Sequence, residues 1–238
     1  MEKHRIALIP GDGIGTEVVP AARRVLDAVA ARHGIALTYD TFDWSCERHL
    51  AEGAMMPPDG LDRIRRHDAI LLGAVGYPGV PDHVSLWGLL IPIRRGFQQY
   101  VNLRPIRVFE GVPSPLREAR PGDVDFVVVR ENVEGEYGEI AGSIDIAPAA
   151  NLNAERDFPS MFEPVHGSAP DIAGRGTANP LGAIWSAAMM LDHLGHPEAA
   201  GAVTDAIATL LSTTGLRTPD LGGTATTDQF TKALVELL

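Results

Sequence analysis

Three arginines have sequence neighbours that favour a role in binding carboxylate groups. Arg94 lies in a predicted helix, and Arg104 stands between a leucine and a proline. Arg130 ends an apolar run that predicts a strand. A guanidinium group is planar, stays charged and can donate two parallel hydrogen bonds to one carboxylate. Arginines also keep protein surfaces soluble, but the apolar neighbours of Arg104 and Arg130 favour a binding role.

A glycine-rich segment, residues 11–15 (Gly-Asp-Gly-Ile-Gly), follows a predicted strand and opens a predicted helix. Such a loop can bring a dinucleotide pyrophosphate to a helix N-terminus, with Asp40 on the next strand binding a ribose. Thr16, however, occupies the position where that fingerprint needs its last glycine. A tight strand-to-helix turn is the alternative and requires no ligand.

The formal net charge is -11, from 31 acidic and 20 basic side chains. Such a surface repels phosphate backbones and anionic lipid, so we expect neither nucleic-acid nor membrane binding. An anionic substrate would need a local basic pocket, which the three arginines could form.

Cys46 is the single cysteine of the 238 residues, so no disulfide can form within the chain. This composition fits a reducing compartment, and a buried structural thiol is expected rather than a nucleophile. The sequence shows neither a secretory leader nor an apolar stretch long enough for a membrane helix. We therefore expect a cytoplasmic protein.

Short apolar runs alternate with segments of helical periodicity, which predicts an α/β fold with parallel strands. Thr16 is expected to cap the first helix, which ends at Gly34. Residues 142–160 lack periodicity and are expected to form a loop. Strands are predicted at residues 6–9, 35–43, 69–73, 104–109, 124–129 and 136–141, and the 124–129 strand should be buried. Helices are predicted at residues 18–29, 61–64, 86–97, 181–194, 199–211 and 228–238.

Three blocks occur in a fixed order along the chain. The first block is residues 9–15. The second block includes residues 73–76, 86–90, 102–105 (Asn-Leu-Arg-Pro) and 130–137. The third block is residues 162–174, and it is followed by residues 178–180 and 219–224. Together they resemble the isocitrate/isopropylmalate dehydrogenase family of β-decarboxylating dehydrogenases. Residues 83–88 (His-Val-Ser-Leu-Trp-Gly) are most similar to its tartrate and D-malate dehydrogenases.

The resemblance implies an isopropylmalate dehydrogenase-like three-layer α/β fold with a truncated second domain. Residues 1–99 and 146–238 would form the larger, cofactor-binding domain, and residues 100–145 would be a remnant of the smaller substrate and dimer domain. The implied activity is NAD-dependent oxidative decarboxylation of a small 2-hydroxy diacid, tartrate or D-malate. The family also implies Mg²⁺ or Mn²⁺ and a homodimer.

The resemblance also assigns roles to individual residues. It places Arg94, Arg104, Arg130 and Trp87 at the substrate and makes Tyr137 the acid that protonates the enol. The cofactor-binding residues it implies are His166, Gly167, Ser168, Ala169, Pro170, Asp171 and Asn179. Asp171 would accept hydrogen bonds from ribose hydroxyls and would repel a 2′-phosphate, which favours NAD over NADP.

A long stretch of the family is missing between Tyr137 and the loop matched by residues 143–151. Here its two ends nearly join at residues 138–144, and Asp145 replaces a usual glycine. By resemblance, the absent stretch holds the catalytic lysine, the metal-binding aspartates and much of the dimer-forming domain; neither Lys3 nor Lys232 matches that lysine. Loss of the whole stretch should also expose sheet edges and apolar faces. Two hypotheses remain: an active dehydrogenase, or a catalytically impaired NAD-binding remnant or partner subunit.

Overall fold

The structure is a computed structural model, and it describes residues 3–112, 116, 120–133 and 147–238. Within these residues, one seven-stranded sheet has the strand order β2-β1-β3-β7-β6-β4-β5. The strands are β1 (Lys3–Gly11), β2 (Ala36–Thr41), β3 (Ala69–Ala74), β4 (Val101–Arg107), β5 (Asp125–Glu131), β6 (Pro148–Leu152) and β7 (Ser160–Pro164).

Helices connect and cover these strands. The α-helices are α1 (Gly15–His33), α2 (Cys46–Glu52), α3 (Gly60–Ile64), α4 (Asp82–Ser85), α5 (Ile91–Gly96), α6 (Leu181–His193), α7 (Pro197–Thr213) and α8 (Thr227–Leu237). A π-helical turn, Leu86–Leu90, joins α4 to α5, and Pro219–Leu221 forms a 3-10 turn. No helix among the described residues has both the length and the apolar character needed to cross a membrane.

The sheet is parallel on one side and antiparallel on the other. Strands β2, β1, β3 and β7 pair in parallel, as the alternation of strands and helices predicts. Strands β6, β4 and β5 continue the same sheet through antiparallel pairs. The prediction of parallel strands is therefore confirmed for β2, β1, β3 and β7 and is wrong for the other half of the sheet.

Helices pack on both faces of the sheet and form two hydrophobic clusters. Along β1, Ile6 and Leu8 join the cluster that includes α1, α6, α7 and α8. The alternate residues Ala7 and Ile9 join the cluster on the other face, with Cys46 and the helical segments between β3 and β4. Because strand side chains alternate between faces, one apolar strand supplies both cores. This arrangement confirms the predicted three-layer α/β fold.

The helical segment before β4 changes its backbone hydrogen-bond pattern next to Pro92. The expected helix at residues 86–97 is present but begins earlier, at Asp82, and its first part is the π-helical turn. Proline lacks an N–H and its ring would collide with the carbonyl group four residues earlier, that of Gly88. A wider turn relieves that collision. Gly88 is also required by packing, because a Cβ atom there would lie 2.5 Å from Cγ of Met55.

Strand β6 lies where the sequence predicts a loop, so that part of the prediction is wrong. Pro148 through Asn151 are all buried, with β6 between β7 and β4. Small residues and a proline give no alternating pattern, and a strand buried on both faces needs none. Pro148 fits as the first residue of the strand, where its missing N–H is tolerated.

Strand β5 confirms the strand predicted at residues 124–129 but not its predicted burial. Phe126, Val127 and Val129 are 52%, 54% and 67% exposed. In the order of the sheet β5 comes last, paired with β4. Among the described residues, the apolar run therefore lies on the outermost strand of the sheet, and its side chains are largely uncovered. Parts of residues 100–145, including the strand predicted at 136–141, lie outside the described residues, and the division into two domains stays a prediction.

The start of α1 also differs from its prediction. Ile14 is the N-cap residue, and Thr16 lies inside the first turn, where its Oγ1 donates a hydrogen bond of 2.8 Å to the carbonyl of Gly13. Thr16 is therefore not the cap. Gly34, in contrast, ends the helix in the left-handed conformation, as expected.

Candidate substrate and cofactor site

A cavity of about 330 Å³ opens at the carboxyl ends of β3 and β7. Ligands of open α/β sheets commonly bind at this end of parallel strands. Its wall brings together parts of the second and third sequence blocks, which are far apart in the chain. The residues that matter below are Gly73, Ala74, Arg94, Arg104, Glu163, His166 and Gly167.

Arg94 reaches this cavity from α5 and forms an ion pair with Glu163 of β7. Its Nη2 donates to Oε1 of Glu163 at 2.6 Å, and the two side chains are 13% and 9% exposed. A short, largely buried pair of opposite charges fixes the direction of the guanidinium group. The predicted substrate arginine therefore enters the cavity held by a carboxylate that sequence reasoning did not single out.

Arg104 lines the same cavity from β4. Its Nε donates to Oδ1 of Asn102 at 3.0 Å, two residues earlier on the same face of the strand. The structure thus brings two of the three predicted substrate arginines together on one wall. Two guanidinium groups around a small cavity suit a ligand with two carboxylates.

Arg130 and Trp87 lie beside the cavity wall rather than in it. Arg130 of β5 pairs in register with Asn102, which places its half-buried side chain on the same sheet face as Arg104. Trp87 is 55% exposed, and the guanidinium group of Arg95 lies over its ring at 5.0 Å. The substrate roles of both residues stay predictions. Tyr137 lies outside the described residues.

The predicted cofactor loop follows β7 and continues the cavity wall toward the N-terminus of α1. His166 and Gly167 line the cavity, and the carbonyl of Ser168 accepts a hydrogen bond of 2.8 Å from the backbone N–H of Ile14. Gly174 at the other end donates to Oε1 of Glu17 at 2.6 Å. One contact therefore holds the loop against the first sequence block and the other against the first turn of α1.

Within this loop, Gly167, Pro170 and Asp171 are exposed and Ser168 is buried. Ala169 has φ +39°, which is uncommon for a residue with a side chain. Strain of this kind clusters at functional sites. The carboxylate of Asp171 is exposed, and its contact with ribose hydroxyls stays a prediction.

The side chain of Asn179 already has partners within the protein. Its Nδ2 donates to Oδ2 of Asp220 at 2.8 Å, and its Oδ1 accepts from the N–H of Leu181 at 3.0 Å. Only 7% of the residue is exposed. The side chain thus secures the start of α6, and the contact of Asn179 with adenine stays a prediction.

The glycine loop is a tight turn rather than a pyrophosphate site. A Cβ atom at Gly11 would lie 1.9 Å from the carbonyl oxygen of Ala74, and one at Gly13 would lie 2.0 Å from that of Ser168. The N–H groups of residues 12, 14 and 15 already donate to protein carbonyls. These three N–H groups are therefore not available to a phosphate, which favours the tight turn, and the glycines serve close packing.

Asp12 and Cys46 beneath this loop have structural roles. The Asp12 carboxylate accepts from the backbone N–H groups of Cys46 and Gly76 at 2.9 and 3.0 Å. Cys46 is fully buried, and burial, with a smaller contribution from Asp12, raises the pKa of its thiol to about 12. The expected burial of this cysteine is confirmed, and the raised pKa of its thiol disfavours a reactive thiolate.

The residues around the cavity do not fit Mg²⁺ or Mn²⁺. Within the described part of the chain, no three His, Cys, Asp or Glu side chains come together. Glu163 is the buried carboxylate of the cavity, and its Oε1 already accepts from Arg94 and Asn151. Asp82, the other carboxylate on the wall, is exposed. These hard cations need several oxygen ligands, and two carboxylates, one of them paired, do not supply them.

Sequence reasoning missed Glu163, Asn102 and Asn151, which hold the two arginines. A signal was present, because each is a polar residue in a strand that also carries apolar or small residues. Buried polar groups in such strands need partners and therefore mark a network.

Comparison with known proteins identifies the family to which this chain belongs. The profile of the family described as isocitrate/isopropylmalate dehydrogenase matches residues 5–141 and 138–234. The tartrate dehydrogenase/decarboxylase of Pseudomonas putida is 37% identical over 360 positions, covering 98% of this chain and 97% of the relative. The D-malate dehydrogenase [decarboxylating] of Escherichia coli (strain K12) is 37% identical over 359 positions, covering 100% and 99%.

These alignments also locate the missing stretch. They run over about 360 positions although this chain has 238 residues, so more than a hundred positions of each relative have no counterpart here. The two segments that match the family meet at residues 138–141. The predicted internal deletion, with its two ends joined around residues 138–144, agrees with both findings.

Solved structures give the same fold. The isocitrate dehydrogenase of Methylococcus capsulatus has a TM-score of 0.82 at 24% identity, covering 98% of this chain and 99% of that one. A β-decarboxylating dehydrogenase of Thermococcus kodakarensis has a TM-score of 0.77 at 27% identity, covering 98% and 96%.

Proposed function

Because this chain belongs to the isocitrate/isopropylmalate dehydrogenase family, we propose that its cavity binds NAD and a small 2-hydroxy diacid, tartrate or D-malate, for oxidative decarboxylation. One observation carries the proposal: Arg94 and Arg104 share a cavity wall with His166 and Gly167 of the cofactor loop. A site that joins carboxylate-binding cations to a cofactor loop is what such a reaction requires.

The residues of the cavity have distinct tasks. Arg94 and Arg104 would neutralise and orient the two carboxylates, so that the hydroxyl-bearing carbon faces the cofactor. When bound beside this carbon, NAD would supply the hydride acceptor that the oxidation requires. Asp171 would hold the ribose hydroxyls and exclude a 2′-phosphate, because like charges repel strongly at close range. The single cysteine and the acidic composition are consistent with our assignment of this activity to the cytoplasm.

Calorimetric titration of the purified chain with NAD, tartrate and D-malate tests the proposal. We expect both cofactor and diacid to bind, and Arg104→Gln to weaken the diacid at least about tenfold while NAD binding stays unchanged. Arg66, exposed on the surface, provides the matched control Arg66→Gln. Absence of diacid binding, or equal effects of the two variants, would refute the proposed site.

A second candidate function is binding without turnover, as a remnant or a partner subunit. The missing positions between Tyr137 and the segment of β6 favour it, because by resemblance they contain the catalytic lysine and metal-binding aspartates. A developing enolate then lacks its electrostatic stabilisation, and loss of one such donor costs about 2.7–4 kcal/mol. NADH formation is therefore measured with both diacids and Mn²⁺. A metal-dependent rate that disappears in Tyr137→Phe would establish the enzyme; binding without a rate would establish the second function.

A further inference from the structure

Asn151 of β6 lies at the centre of a buried hydrogen-bond network that connects the cavity arginines. The residue is 0% exposed. Its Nδ2 donates to Oε1 of Glu163 at 2.8 Å and to the carbonyl of Met161 at 3.3 Å. Its Oδ1 accepts from Nδ2 of Asn102 at 2.9 Å and from Nδ2 of Asn132 at 2.8 Å. One amide group therefore uses its full capacity of two donated and two accepted bonds.

The orientation of this amide follows from its partners. Met161 presents a carbonyl oxygen and Glu163 a carboxylate, and both can only accept. The nitrogen of Asn151 must therefore face β7, and its oxygen must face Asn102 and Asn132. Reversing the amide would break all four bonds, so the network has one arrangement.

The two sides of Asn151 lead to different arginines. On one side Glu163 accepts from Asn151 and from Nη2 of Arg94 through the same oxygen. On the other side Asn102 donates to Asn151 and accepts from Nε of Arg104. Each arginine is thus one residue away from the same amide. Arg94 comes from α5 and Arg104 from β4, and Asn151 links the anchors of both.

We propose that Asn151 is a positioning residue that sets the guanidinium groups of Arg94 and Arg104 relative to one another for binding a diacid. The inference rests on the proposed function for its ligand, but the positioning itself can be measured without any ligand. A diacid with a short spacer demands a fixed separation of its two cations, and a displacement of about 1 Å is costly in such a site.

Asn132 extends the same network to the end of β5. Its Nδ2 is shared between Asn151 and the carbonyl of Gln99, the latter at 3.4 Å. Asn132 is 5% exposed and follows the last residue of the strand. Asn151 therefore also secures the point from which the chain continues toward Tyr137.

The test compares isosteric variants at two buried asparagines. Asn151→Asp keeps the acceptor for Asn102 and Asn132 but removes both donors and places a carboxylate against Glu163. Asn153→Asp is the matched control: Asn153 is 1% exposed and bonds to the backbone of Asp157, Phe158 and Gln98, contacting neither arginine. Asn151→Ser, with Asn153→Ser, repeats the comparison without introducing a charge.

The readout is the Nε–H resonance of Arg104 in a spectrum of the ¹⁵N-labelled chain without ligand. Arg217, whose Nε donates to the carbonyl of Gly111 at 3.1 Å, is an internal reference in every sample. In Asn151→Ser, which loses the amide oxygen that accepts from Asn102, we expect the Arg104 signal to shift and to exchange faster with water, while the Arg217 signal is unchanged. Asn151→Asp keeps that acceptor and disturbs the Glu163 side instead, so its Arg104 signal should change less than in Asn151→Ser. In the Asn153 variants both signals should match those of the parent. Diacid affinity should fall at least about tenfold in the Asn151 variants alone, with NAD affinity retained.

An unchanged Arg104 signal in Asn151→Ser would overturn the inference, as would an equal change in Asn153→Ser. If both Asn151 variants fail to fold while the Asn153 variants fold, Asn151 is a folding residue and the positioning role is wrong. Failure of the parent chain to bind a diacid would refute the proposed function separately, because the resonance comparison still decides whether Asn151 positions Arg104.

Discussion

Arg94 and Glu163 form the ion pair at the wall of the cavity, with 2.6 Å between Nη2 and Oε1. A cation intended for a substrate carboxylate is therefore already paired with a carboxylate of the protein. Glu163 lowers the positive charge of the cavity but holds the guanidinium group in place. These two effects can be separated by a substitution that removes the charge and keeps the hydrogen-bond acceptor.

Glu163→Gln should destabilise the free chain and increase its response to a diacid. The glutamine oxygen can still accept from Arg94, but the largely buried guanidinium group loses its counter-charge, which we expect to cost about 1–3 kcal/mol. A bound carboxylate would restore that charge. Thermal unfolding with and without D-malate measures both effects. Asp82→Asn, at the exposed carboxylate of the same wall, is the control. Identical ligand-induced shifts in the parent and Glu163→Gln would contradict this prediction.

Asp171→Asn should weaken NAD binding, whereas Asp40→Asn should not. Asp40 imitates the acidic residue of a Rossmann fingerprint, but its Oδ2 lies 2.6 Å from Nε of Arg5 and 2.9 Å from Nε2 of His67. Its hydrogen bond with Arg5, followed by that with His67, keeps the pKa of the Asp40 carboxyl below its usual range.

Asp171, by contrast, is exposed in the cofactor loop. We expect NAD affinity to fall about tenfold in Asp171→Asn and the preference over NADP to narrow, because the repelling charge is gone. Fluorescence titration with NAD and with NADP measures both affinities in the parent and in Asp171→Asn. A loss of NAD binding in Asp40→Asn would mean that the glycine loop binds the cofactor after all.

His193 at the end of α6 should make the chain less stable in mild acid. Burial, followed by the charge of Arg156 and opposed by Asp192, lowers the pKa of His193. The unfolded chain then binds a proton at about pH 6.5, before the folded chain does. Stability is therefore complete above that pH and declines as the pH falls toward the folded pKa.

The unfolding midpoint, measured from about pH 7.5 to 5.5, should decline less in His193→Gln than in the parent. His33, exposed in the last turn of α1, supplies the control His33→Gln, which should keep the slope of the parent. Parallel slopes for the parent and His193→Gln would show that another group causes the acid dependence.

Val129→Lys should reduce self-association without loss of stability. Val129 is 67% exposed on β5, the last strand in the order of the sheet, and exposed apolar edges of this kind promote association between chains. Lysine on an edge strand opposes such contacts. Light scattering over a range of protein concentrations measures the effect. The control is Ile70→Val, a buried change in β3 that should lower stability by about 0.5–1.5 kcal/mol and leave association as it is.

If Val129→Lys instead unfolded the chain, the exposure of this side chain in the structure would be contradicted. If association continued unchanged, a surface other than β5 would be responsible for it.

The sequence by itself determined the elements that follow local rules. The apolar runs of β1 and β3, the periodic faces of α1, α6, α7 and α8, and the left-handed end of α1 at Gly34 were all predictable. Periodicity and capping depend on residues a few positions apart, so the sequence records them directly. The order of the three blocks was also sufficient to identify the family and to locate the missing stretch.

The tertiary structure alone decided the burial of β6, the exposure of β5 and the network that joins Arg94 to Arg104 through Asn151. None of these has a local signature. A strand of small residues has no alternating pattern to reveal its burial, and an apolar strand does not record whether other elements cover its faces. The two arginines lie ten residues apart in sequence, whereas Asn151, which links their anchors Glu163 and Asn102, lies some fifty residues later. Only the pairing of β4, β6 and β7 brings these groups within hydrogen-bonding distance.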